Sequence, residues 1–249
     1  MIPMKIEIVS HAWSYGYDQY AKLLALQLSS LYVYGPSRSD LRITVFVCED
    51  DIEITDVCEF FTKYAKFKDI RVIPMQSRNY LMRRAIGRNM VALDTDADLV
   101  WYADCDYLFL EGCFDSLTDL CDSGKLGDLS YPKHIFYSRS HKSGDEFFNL
   151  VDLQKLQLDE CCKLKREDFV SEPLNRAIGG AQICRGKTLN KKGYLRGTKW
   201  VEPMIEGEGA NFRDDVMFRR GFGCDRGLSI PLGGVYRVRH SQNTYDEEE

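Results

Sequence analysis

Residues 98–106 read DLVWYADCD. The stretch opens as an apolar strand and closes on two carboxylates, Asp104 and Asp106, one residue apart. Side chains at i and i+2 of a strand share a face, so a strand running to 106 puts both acids on one side. Two close carboxylates repel unless a positive group lies beside them. A hard divalent cation such as Mg²⁺ or Mn²⁺ favours oxygen ligands and completes its shell with phosphate oxygens and water. A polar loop with acids for solubility has the same composition, so the place of the pair in the chain must decide.

Upstream, MKIEIVS (4–10) alternates and is rich in β-branched residues, which predicts a strand. Leucines at helical spacing predict a helix over 17–33, broken by YGPSRSD. RITVFVCED (42–50) is nearly all apolar, as a central parallel strand must be. A helix over 54–67, a short strand at 70–75 and a helix over 79–94 lead into the strand at 98–106. This alternation predicts an α/β fold with a mostly parallel sheet flanked by helices. Ligands of such sheets bind beyond the carboxyl ends of the strands. That rule points to Ser10 and His11, to Glu49, Asp50 and Asp51, and to Asp104 and Asp106.

Downstream, a helix near 114–122 and a strand near 128–132 are expected. HIFYSRSHKSGDEFFNL (134–150) is polar and reads as a mobile loop that closes over a ligand. AIGGAQICRGKTLNKKGY reads as a strand then a helix, RDDVMFRRGFG as a short helix closed by glycine, and SIPLGGVYRVRH as a final strand. No repeat or linker divides the chain. The expectation is one domain over 1–245, with a nucleotide-binding half to about 112, an acceptor-side half over 113–245, and an acidic tail at 246–249.

The 249 residues, 44% hydrophobic and 29% charged, suffice for a buried core. No apolar run approaches the roughly 20 residues of a membrane helix, and the N-terminus lacks a signal pattern, which places the protein in the cytoplasm. Nine scattered cysteines without a C-x-x-C argue for reduced core thiols rather than disulfides or zinc. The net charge is −5, and the four acids of the tail leave the body near neutral. Overall charge therefore neither demands nor excludes a polyanionic partner.

RRAIGRNMVALDTDADLVWYADCDYLF (83–109) resembles the core segment of GT-A glycosyltransferases, especially the family-two-like group. There an Arg-Asn pair on a helix precedes an apolar strand and a D-x-D. AIGGAQICRG (177–186), FRDDVMFRRGFG (212–223) and YRVRHSQNTY (236–245) resemble, in the same order, the glycine pair, the acidic pair with its basic helix, and a late histidine. The resemblance covers about 4–245 and implies a GT-A, Rossmann-like fold.

It also implies roles. Asp106 binds Mn²⁺ or Mg²⁺, Asp104 touches the ribose or the metal, and His240 is a further ligand; a surface histidine beside Arg237 and Arg239 is the plain alternative. Ser10, His11, Glu49 and Asp50 contact the nucleoside, with Asp50 also suited to cap the following helix. Arg88, favoured over Arg84 as the Arg-Asn position, neutralises the diphosphate. Gly179 and Gly180 let the backbone pass close to the donor sugar. Asp215 is the base that takes the acceptor proton, and Asp214 the helix cap beside it. The implied reaction is a metal-dependent, non-processive, inverting transfer of one sugar from a UDP-sugar, UDP-glucose by family habit. No Q-x-x-R-W-like element is present.

Between 185 and 199 lie Arg185, Lys187, Lys191, Lys192, Arg196 and Lys199 without an acid, interleaved with Tyr194 and followed by Trp200. Such a run can track phosphates while aromatics stack on bases. It suits a glycan acceptor or, alternatively, DNA carrying 5-hydroxymethylpyrimidine; a solvated lysine-rich helix is the plain alternative. A nucleotidyltransferase would want a glycine-rich basic loop after the first strand, which SHAWSYGYDQ is not. An inactive sugar-nucleotide-binding module is disfavoured by the intact acid pair.

Overall fold

The computed structural model describes residues 3–14, 18–65, 67, 69–205 and 214–240. The first half forms β1 (Lys5–His11), α1 (Asp18–Val33), β2 (Asp40–Cys48), α2 (Ile52–Tyr64), β3 (Asp69–Met75), α3 (Arg78–Met82), α4 (Ala85–Asp94) and β4 (Leu99–Tyr102). After it come β5 (Tyr107–Phe109), α5 (Cys113–Asp122), β6 (Leu129–Pro132), β7 (His134–Ser138), α6 (His141–Phe147), β8 (Phe169–Pro173), β9 (Gln182–Arg185), α7 (Gly186–Lys192), α8 (Asp214–Gly221), β10 (Leu228–Ile230) and β11 (Val235–Arg237).

Seven strands form the central sheet in the order β10-β6-β9-β4-β1-β2-β3, parallel throughout except for β9. Alternation explains why the central strands are apolar on both faces. Val45 and Val47 of β2 and Trp101 of β4 enter the core under α1, α2 and α5. Phe46, Val100 and Tyr102 enter the opposite core, under α4, α7 and α8. Full burial of a side chain such as Phe46 or Leu24 contributes about 2–3 kcal/mol. The two halves meet in the sheet where antiparallel β9 pairs with β4.

Three expectations need correction. The helix over 79–94 is two helices, because Arg83 leaves helical geometry at φ −80°, ψ 70°. The strand over 98–106 stops at Tyr102, where its ladders with Val9 and Gln182 end. The polar stretch 134–150 is no open loop but β7, α6 and a short 3-10 turn. There β7 joins a second sheet, β5-β11-β7-β8, that the sequence reading did not foresee. All nine cysteines are free thiols. Among the described residues no helix is long and apolar enough to cross a membrane.

Candidate active site

Beyond β4 the chain turns tightly: the Tyr107 amide donates to the Asp104 carbonyl at 3.1 Å, which places the D-x-D in a turn rather than on a strand face. The two acids therefore meet different partners. Asp104 Oδ1 accepts from Arg84 Nη1 at 2.6 Å and Arg88 Nη2 at 3.2 Å. Burial opposes ionisation of Asp104, but Arg84, Arg88 and Arg237 outweigh it and hold the carboxyl down at about 2. Asp106 is buried; its Oδ2 accepts from Arg237 Nε at 2.8 Å, and its Oδ1 has no partner. Register delivers Arg237, since β11 pairs with β5 so that Arg237 stands opposite Tyr107.

Arg84 and Arg88 reach the turn because α4 lies close on the sheet. A Cβ at Gly87 would stand 2.5 Å from His11 Nε2 and 2.9 Å from the Phe46 ring, so only glycine allows this approach. His11 is buried, stacked on Phe46 at 4.7 Å, and its Nε2 is unpartnered. Burial, then Arg88 and Arg84, push its imidazole well below the usual range, so it is neutral. Arg88 is fully buried and donates to the Tyr194 hydroxyl at 3.0 Å.

His240 is buried with Nδ1 unpartnered. Burial lowers its pKa and nearby Asp106 partly opposes this. Tyr20 closes the wall, its ring edge-on to His240 at 5.4 Å. Among the described residues no three His, Cys, Asp or Glu side chains gather as a ready metal cluster. A buried carboxylate oxygen and a buried neutral imidazole nitrogen, both without partners, nevertheless match a borderline cation such as Mn²⁺.

Other positions depart from the sequence reading. Ser10 faces inward and donates to Gln27 Oε1 at 2.7 Å, away from the crevice. Glu49 and Asp50 are exposed, and the cap of α2 is Asp51, which also takes the Ser14 amide and hydroxyl at 2.6 Å each. Gly179 borders the cluster, its Cβ position 3.9 Å from Asp104 Oδ2. Gly180 is instead packed under Tyr107, whose ring a Cβ would meet at 2.2 Å. Asp214 Oδ1 accepts from the Asp215 amide at 2.9 Å, as a helix start would. Asp214 also acts electrostatically on Arg84 and Arg88, whereas Asp215 Oδ2 pairs with Arg219 Nη1 at 3.0 Å along its own helix.

The basic run does not form one surface. Arg185 pairs in register with Leu99, at the amino end of β4, and with Lys187 lines a cavity of about 920 Å³ on that far rim. Lys191 is exposed on α7, and Lys192 donates to the Phe222 carbonyl at 3.1 Å. Tyr194 cannot stack on a base, being fully buried against Phe218 at 4.1 Å. Arg196 is exposed, and Trp200 lies under Arg83 at 5.1 Å, near the start of α4. The sequence reading missed Arg237, Tyr20 and Tyr194 as members of this rim. It placed Asp51 at the strand end but gave the cap to Asp50.

Solved structures share this architecture. S. aureus TarS, residues 1–349, superposes with a TM-score of 0.59 at 11% identity, covering 94% of this chain and 60% of its own. Its complex with UDP gives 0.60 at 11% identity, covering 98% and 63%. The fold is that of the GT-A glycosyltransferases. A third match, the TarS complex with UDP-GlcNAc, gives 0.53 at 11% identity, covering 94% and 58%. The chain thus spans about 60% of these TarS structures. By sequence, no family model and no curated protein matches it.

Proposed function

We propose that this protein is a glycosyltransferase that moves one sugar from a UDP-sugar to an acceptor hydroxyl. The observation that carries the reading is the convergence of Arg84, Arg88 and Arg237 on Asp104 and Asp106 at the carboxyl rim. The three guanidiniums converge where a diphosphate would lie, in a fork geometry that suits phosphate oxygens. The TarS structures with UDP and UDP-GlcNAc support a nucleotide-sugar donor on this fold. UDP-glucose and UDP-GlcNAc are the donors to try first.

Asp106 and His240 would hold Mn²⁺ or Mg²⁺, and the ion would supply neutralisation of the departing diphosphate. Arg84 and Arg88 orient the phosphates. Neutral His11 and Asp51, the cap of α2, stand at the nucleoside end, and Gly179 leaves room for the sugar. The acceptor proton goes to a carboxylate at the start of α8. Asp214 faces the arginine cluster while Asp215 is tied to Arg219, which moves our assignment of the base from Asp215 to Asp214. With a single carboxylate acting as base on the acceptor hydroxyl, the proposed reaction is inverting, and the proposed acceptor is a glycan.

UDP release from each donor with Mn²⁺ tests the reading. Release that is lost with EDTA and in Asp106→Ala supports it. Release indifferent to both overturns the metal assignment, and absence of UDP binding by calorimetry overturns the donor assignment.

A further inference from the structure

Residues 193–198 leave α7 and face α8 across a cleft of about 250 Å³. Among the described residues that line it, the charged ones are Lys192, Arg196 and Arg220, and none is an acid. By contrast, Arg42, Arg84, Arg88, Arg219, Arg237 and Arg239 each touch a carboxylate. Three cations around one cleft without a carboxylate repel one another, which an anion would relieve.

The backbone gives an independent sign. Gly193 and Gly197 have positive φ, and between them Leu195 stands at φ 55°, the one non-glycine residue so placed among the described residues. Left-handed geometry costs a branched residue on the order of 1 kcal/mol, and such strain gathers at ligand clamps. Here it fixes the loop that carries Arg196. The cleft wall also leads to the donor cluster: Phe218 stacks on Tyr194, whose hydroxyl meets Arg88, which reaches Asp104.

We propose that this cleft binds a phosphate group carried by the acceptor. The proposal rests on the transferase reading and names the chemistry of its acceptor. Two guanidinium forks and an ammonium suit the clustered oxygens and charge of a phosphate. It leaves out Arg185 and Lys187, which lie on the far rim. It uses Arg220, which lies outside the basic run.

The test is a nuclear magnetic resonance titration of the UDP-saturated protein with methyl phosphate, following the arginine Nε–H signals and the backbone amides of Leu195 and Phe222. Saturable, joint shifts of Arg196 and Arg220 are expected, beyond those of sodium chloride at equal ionic strength. A doubly substituted protein, Arg196→Ala with Arg220→Ala, should keep its folded spectrum and bind methyl phosphate at least tenfold more weakly by the amide signals. Shifts that follow ionic strength alone, or that survive the double substitution, overturn the proposal. UDP binding, followed separately by calorimetry, tests the reading beneath it, so the two failures are distinguishable.

Discussion

The two rims of the central sheet carry the same kinds of charged residue and use them differently. At the amino rim Arg42 is ringed by Glu7, Asp69 and Asp96, while Thr44 and Thr95 take both oxygens of Glu7. At the carboxyl rim Arg84, Arg88 and Arg237 crowd onto Asp104 and Asp106 and leave polar atoms over. There His11 Nε2, Arg88 Nε, Asp106 Oδ1, Tyr107 Oη, Gln182 Nε2 and His240 Nδ1 are buried without partners. A buried polar atom without a partner costs about 1–3 kcal/mol, which a protein retains where something else binds. A saturated network holds the sheet together; an unsaturated one of similar composition leaves groups free to take a ligand.

The sharpest way to break this contrast is at the start of α8. Asp214→Asn should lower the rate of sugar transfer by about a hundredfold or more, and Asp215→Asn by about tenfold or less, in single-turnover assays. The reverse order would return the base to Asp215. At the amino rim Arg42→Met should cost about 3 kcal/mol in urea unfolding, because it leaves buried Glu7 without its cation, yet leave kcat near wild type. A large fall in kcat at constant stability would erase the distinction between the rims.

A smaller effect concerns pH. His11 is neutral when folded and its pKa lies well below that of the unfolded chain, near 6.5. Below that value the unfolded chain binds the proton and the folded one does not, so stability falls as pH drops, by about 1.4 kcal/mol per unit until the folded group titrates. The cations facing it are Arg84 and Arg88, with Asp104 opposing. Urea midpoints between pH 7 and 5 should fall less steeply in His11→Gln. The smallest effect is expected at Arg185→Ala, which should change the KM for either substrate by less than about twofold, since it lies at the amino rim. A marked rise would show that the acceptor reaches round to the far cavity.

Much of this contrast was legible in the sequence. Apolar runs at β1, β2 and β4 declare a sheet buried on both faces, and the rule for strand ends leads to Asp104 and Asp106. The acids were found through a partly wrong geometry, because alternation cannot show where a ladder ends. It ends at Tyr102, where both partner strands stop pairing. The second sheet was hidden because β5 and β11 are three residues each, too short for a period. Arg237 was hidden with it, since its place depends on register across 131 positions. The basic run misled for a related reason: adjacency from 185 to 199 says nothing of the antiparallel β9, which begins at one rim and delivers Arg185 to the other.

The pairing of β5 with β11 also sets an order of events. Asp106 and Arg237 are separated by 131 positions, and His240 follows three residues later. Contacts this distant form late, after the chain between them has been made and its nearer contacts closed. On a growing chain the four parallel strands can align while Asp106 still lacks its arginine. The proposed donor site can therefore close only once β11 has been made, and a nascent chain can align those four strands before it pairs Asp106 with Arg237.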